Sequence, residues 1–117
     1  MVIFCGRRDL RTRECEVFRN GKLFSPAASR IVWQHTPDGF NWGYQGTGPA
    51  QLALALLLSV LRSRKAAQMW HQEFKRQFVA RWSDLWVITD EEICHWWRTA
   101  CLTSQQKGES EVSNGED

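Results

Sequence analysis

The sequence has no CxxC pair, no long hydrophobic run, no dense basic block, and only three prolines and one tyrosine in 117 residues. Each shortage removes a class of protein. Without paired cysteines, the four present (Cys5, Cys15, Cys94 and Cys101) read as small buried thiols in a reducing compartment rather than as a disulfide framework or zinc site. The longest apolar run, Leu52 to Leu58, is too short to cross a bilayer, and Arg7 and Arg8 stand where a secretory signal would carry its greasy centre. A cytoplasmic setting without a membrane partner is therefore expected. With 43% hydrophobic and 24% charged residues, the composition fits one folded domain and excludes collagen-like repeats and extended disorder.

What the chain has in excess is tryptophan, seven in all. Indoles serve equally as core filler and as stacking platforms, so the excess alone names no role. The formal charge of +2 is unevenly spread. From Gln105 to Asp117 the chain holds Glu109, Glu111, Glu116 and Asp117 against Lys107 alone. That stretch is nearly free of apolar residues, so residues 105–117 are expected to form a disordered acidic tail after a single domain over 1–104. The remaining body is more basic than the whole. It attracts anions without the charge density of a dedicated nucleic-acid binder.

Periodicity orders the elements. Glu14 to Phe24 contains Asn20-Gly21, the dipeptide that fills the two positive-φ positions of a type I′ turn, and predicts a β-hairpin. Ser25 to Ser29 reads as a loop, and Ile31 to His35 as a short extended segment. Pro49 marks the start of a helix running to about Ser63, apolar on nearly every side and therefore buried. A second helix over about Lys65 to Trp82 places Ala67, Trp70, Phe74, Phe78 and Trp82 on one stripe. Leu85 to Ile88 reads as a strand, and Thr89 with Glu92 has the spacing of a capping box opening a last helix. The expected fold is α+β: a small antiparallel sheet with an N-terminal β-hairpin, packed against about three helices.

The densest pattern lies between His35 and Gln51, HTPDGFNWGYQGTGPAQ. Gly43, Gly46 and Gly48 precede the helix that Pro49 opens. Such glycines let bare N–H groups converge where the first helical turn adds unpaired donors and a positive dipole end, an arrangement that suits phosphate. The spacing is neither the P-loop, since no lysine follows the last glycine, nor the dinucleotide fingerprint. Two readings stand side by side: tight turns with close packing, or a ligand site. On the second, the ligand-binding residues are Trp42, Tyr44, Gly46, Thr47, Gly48 and Gln51, with aromatic faces for a base and donors for phosphate. Arg7, Arg8, Arg11 and Arg13 add charge from the hairpin. His35 with Asp38, and Cys94 with His95, hint at acid–base or nucleophile chemistry, but no orienting group accompanies either pair. No catalytic residue, metal or cofactor is assigned.

The segment HTPDGFNWGYQGTGPAQLALALLL, His35 to Leu58, resembles the signature of an uncharacterised family of small bacterial and phage proteins, a domain of unknown function with the pattern H[ST]PxGFxWGYxG[ST]GPAQLALALL. The likeness continues in CGRR, the Asn-Gly hairpin, Phe74-Lys75, the Trp86 to Thr89 strand and Ile93, and covers most of residues 1–104. It implies a shared loop without an activity, and its phage members imply a counter-defence role. Three functions are carried forward. The first is a non-catalytic binder of a phosphorylated nucleotide-like small molecule, sequestering a signalling nucleotide. The second is a protein-interaction module or inhibitor of a host protein, presenting surplus tryptophans. The third is a weak nucleic-acid binder using the hairpin arginines. Self-association is a further candidate for partnership.

Overall fold

The computed structural model describes the side chains of residues 1–104, and the acidic tail expected over 105–117 lies outside these described residues. The chain runs β1 (Ile3–Arg8), β2 (Cys15–Arg19), β3 (Lys22–Leu23), α1 (Ala27–Val32), α2 (Thr47–Leu61), α3 (Arg64–Gln77), a 3-10 turn (Val79–Arg81), β4 (Leu85–Thr89) and α4 (Asp90–Glu116). The four strands form one antiparallel sheet in the order β3-β2-β1-β4. The expected α+β fold is the observed one. No helix among the described residues is long and apolar enough to cross a membrane.

Local chemistry accounts for most of these elements. Asn20 (φ 49°) and Gly21 (φ 80°) make the turn between β2 and β3. Thr89 and Glu92 complete the capping box: Glu92 N donates to Thr89 Oγ1, and Thr89 N donates to Glu92 Oε1. Ser63 caps α3 by accepting from Ala66 N. α2 is buried without interruption from Gly48 to Leu57, as its all-round apolar sequence requires. It forms one core with Phe4 and Val17 of the hairpin, Trp86 and Ile88 of β4, Phe74 of α3 and Ile93 of α4.

Three element boundaries and the burial of the cysteines differ from expectation. Of the loop expected at Ser25–Ser29 and the extended segment at Ile31–His35, Ala27 to Val32 form α1, and the chain is extended only from Trp33. Pro26 pre-sets the backbone for a helix start, Ser25 Oγ accepts from Ala27 N, and Ala27-Ala28 carry the turn forward against the β preference of Ile31-Val32. α2 starts at Thr47, two residues before Pro49, because proline is tolerated throughout a first turn whose donors have no helical partner. α3 ends at Gln77, so Trp82 lies beyond the 3-10 turn rather than on the helical stripe. The cysteines are free but only partly buried, not the core thiols expected.

Candidate functional site

The sequence between β3 and α2 folds inward. Gly46 precedes α2 in extended conformation without a capping side chain, and the ring of half-exposed Tyr44 lies against it: a Cβ on Gly46 would stand 2.4 Å from the ring. A Cβ on Gly48 would meet Asn41 Cβ at 2.7 Å and the Tyr44 hydroxyl at 3.1 Å. Gly43 has φ 87° and packs on the Trp82 carbonyl, donating its N–H to Val79 O. The positive φ at Gly43 and the Asn41 Cβ against Gly48 therefore leave no room for a side chain at those two positions, whereas at Gly46 the exposed Tyr44 ring would have to move aside.

Trp42 is fully buried, its indole N–H donating to Ser83 O at 2.7 Å, its ring edge-on to Trp86. Above it sits Arg8, 4.9 Å from the ring centroid, with hydrogen bonds of 2.7 Å to Asp84 Oδ1, Asn41 Oδ1 and Trp42 O. Burial opposes its charge, but the Asp84 carboxylate and the nearby Cys15 hold its pKa above the ordinary arginine value. Arg8 thus ties β1 to the glycine loop and to the approach to β4. Of the other hairpin arginines, Arg7 pairs with Glu16 at 2.9 Å, while Arg11 and Arg13 are exposed.

Gln51 is also fully buried and uses both ends of its amide. Its Oε1 accepts from His35 N at 2.8 Å and Thr36 N at 3.4 Å; its Nε2 donates to Ser29 Oγ and Trp33 O. The side chain is a latch that holds α1 and the following segment on α2. Next to it lies a pair that sequence spacing did not reveal: His35 Nε2 and His71 Nε2 are 2.9 Å apart, with Trp33 stacked on His35 at 4.5 Å. His71 Nδ1 faces the Ala67 and Gln68 carbonyls and therefore carries the proton, which makes His71 Nε2 the acceptor and His35 Nε2 the donor. Burial lowers both pKa values, and the mutual charge and Lys75 add to the lowering for His35. His35 therefore faces His71, 36 residues away, rather than acting with Asp38.

Of the six sequence-predicted ligand residues, the structure brings Tyr44, Gly46, Thr47 and Gly48 together at the start of α2, with Tyr44 and Thr47 exposed. Trp42 and Gln51 sit inside with their polar atoms paired within the chain. Among the described residues, no three His, Cys, Asp or Glu side chains converge to hold a metal ion.

A further open surface is the outer face of the sheet. Strand alternation sends Phe4, Gly6, Val17, Trp86 and Ile88 inward, and sends Ile3, Cys5, Arg7, Glu16, Phe18, Leu85 and Val87 outward. The register aligns Leu23, Phe18, Cys5 and Val87 in one row across all four strands. Leu85, Leu23, Val87 and Ile3 are 75, 70, 66 and 45% exposed. The signal was present in the sequence. LWVIT is apolar on both parities, the pattern of a strand meant to be covered on both faces.

Fold and site together define a two-layer α+β domain with a sealed inner face and an apolar outer one. The chain belongs to a family of unknown function (DUF6166), whose model matches residues 4–99. No curated protein and no solved structure matches it.

Proposed function

We propose that this chain is a non-catalytic protein-interaction module that works through the outer face of its sheet. The observation that carries the reading is the row Leu23, Phe18, Cys5 and Val87, exposed at Leu23 and Val87 and half-buried between them, where Arg7 lies over the Phe18 ring, with exposed Leu85 and Ile3 at its flanks. Its four most exposed aliphatic side chains present on the order of 400–500 Å² of apolar surface, the scale of a functional patch on a monomer. The partner is a protein with an apolar surface of matching flatness. Five of the seven tryptophans are engaged inside the chain: Trp42 and Trp86 are buried, and Trp70, Trp82 and Trp96 pack on the core. The setting is read as cytoplasmic, and the resemblance to phage proteins makes a host defence protein the partner class to try first.

Affinity capture with the wild-type chain and with Leu23→Lys tests the reading. A protein held by the wild type through high salt and lost by the variant, with unchanged melting temperature, supports it. Equal capture by both chains overturns it.

The nucleotide reading keeps one observation in its favour. The first turn of α2 has no side-chain cap, which leaves the N–H groups of Thr47 and Gly48 for an anion beside half-exposed Tyr44. Thermal shift against nucleotides tests it. A rise in melting temperature that Tyr44→Ala abolishes supports it, and a flat response across the panel removes it.

A further inference from the structure

The outer strand of the sheet has a free edge whose polarity can be read from its hydrogen bonds. Arg8 N donates to Asp84 O, and Asp90 N donates to Val2 O. The even-numbered residues of this segment therefore turn their backbone groups toward β1, and Leu85, Val87 and Thr89 turn theirs outward. Thr89 N is taken by Glu92 Oε1. The edge then offers Leu85 N–H and C=O, Val87 N–H and C=O, and Thr89 C=O.

Edges of this kind are normally blunted by lysine, proline or a bulge. Between Leu85 and Thr89 there is no charge and no proline, and the strand is regularly paired along its length. The other edge, β3, is only two residues long. β4 is thus the one edge of this sheet long enough and plain enough to accept a strand.

We infer that β4 pairs with β4 of a second copy, antiparallel about a two-fold axis at Val87, to give a continuous eight-stranded sheet. The free groups select both occupant and register. With Val87 opposite its own counterpart, the two valines exchange both N–H···O bonds, and each Leu85 N–H meets the Thr89 carbonyl of the other copy. That carbonyl is the group the capping box leaves open. The edge is therefore complementary to itself at every group but the Leu85 carbonyl, which faces the Thr89 N–H that Glu92 holds and stays open to water. Asp84 falls opposite the second copy's Asp90, but both carboxylates are already engaged, Asp84 by Arg8 and Asp90 by Val2 N. The pairing stands on the edge alone. On the reading proposed above it has a further consequence, because it fuses two outer faces into one apolar surface of about the 800 Å² that each side of a standard interface buries.

Sedimentation of the full chain tests the dimer. The expected mass at micromolar concentration is twice 13.6 kDa. Val87→Pro removes an edge N–H that β1 does not use, in a position where proline is tolerated, so the variant keeps its fold and sediments as one chain. Leu23→Lys, on the same face but the opposite edge, stays dimeric and separates this inference from the partner-binding reading. Amide exchange of the wild type gives a second readout. Leu85 and Val87 exchange at least about tenfold more slowly in concentrated than in dilute protein. A wild-type monomer at all concentrations, a dimer that persists in Val87→Pro, or concentration-independent exchange at both amides overturns the inference.

Discussion

The loop before α2 and the outer face of the sheet use their residues in opposite directions. The loop has the denser motif, yet Trp42, Gln51 and Asn41 point their polar atoms at Ser83, Ser29, Trp33, His35 and Arg8 within the same chain. The sheet face has no motif at all, yet it leaves leucine and valine side chains two-thirds or more in solvent. A tightly specified sequence pattern can thus be a packing specification. A surface free for a partner is marked instead by apolar residues that the fold never covers.

The comparison breaks most sharply at Gln51. Gln51→Leu keeps the volume but takes the partner from buried Ser29 Oγ and Thr36 N–H and from the half-buried His35 N–H and Trp33 carbonyl, at about 1–3 kcal/mol for each buried group left unpaired. A total loss of roughly 3–5 kcal/mol is expected from chemical denaturation. A loss below about 1 kcal/mol would show that the latch is not structural. Gly48→Ala comes next. Its new methyl group meets Asn41 Cβ, which Arg8 holds through the Asn41 amide, and overpacking of this kind costs about 1–3 kcal/mol. If instead Gly48→Ala is neutral and weakens nucleotide binding, the loop is a site rather than a brace.

A pH titration sharpens the same contrast from within the loop. Both His35 and His71 have folded pKa values below the ordinary 6.5, for reasons of burial first. Below about that pH the unfolded chain binds more protons than the folded one, so stability is complete above it and falls as pH drops through the depressed folded values. The bond between the two Nε2 atoms needs His71 neutral, since its Nε2 is the acceptor, and is lost when both rings are protonated. His35→Gln is expected to flatten the decline in melting temperature on acidification relative to the wild type. An unchanged slope would mean that the pair does not titrate with folding.

Much of this fold could be read from the residues themselves. The Asn20-Gly21 turn, the buried α2, the capping box at Thr89 and the β4 strand each follow from local chemistry that tertiary packing did not overrule. The segment after Pro26 could not be read the same way, because its β-branched Ile31-Val32 pair competes with a proline-started helix, and the helix wins through its contacts with α2 and the Gln51 latch. At the glycine run, a residue chosen for lack of a clash and one chosen for a ligand look identical in sequence. The clashing partners, Tyr44 and Asn41, become visible only when the chain is folded. His71 escaped notice for a related reason. Its partner lies 36 residues away, and no spacing rule links a helix to a loop at that distance.

The smallest stability effect belongs to the outer face, and its smallness is the point. Leu23 is 70% exposed and pairs across β3 and β2 with Phe18, so Leu23→Lys exchanges one solvated side chain for another on the edge opposite β4. Its effect on unfolding free energy is expected to fall within about ±0.5 kcal/mol. Val17→Lys, one position away from Phe18 but 2% exposed and facing the core, is expected to cost several times more, because it buries a charge among Phe4, Trp86 and the α2 leucines. Denaturation of the two variants side by side measures how one-sided the sheet is. If Leu23→Lys destabilises as Val17→Lys does, the outer face is already covered by this chain and has no surface to offer a partner.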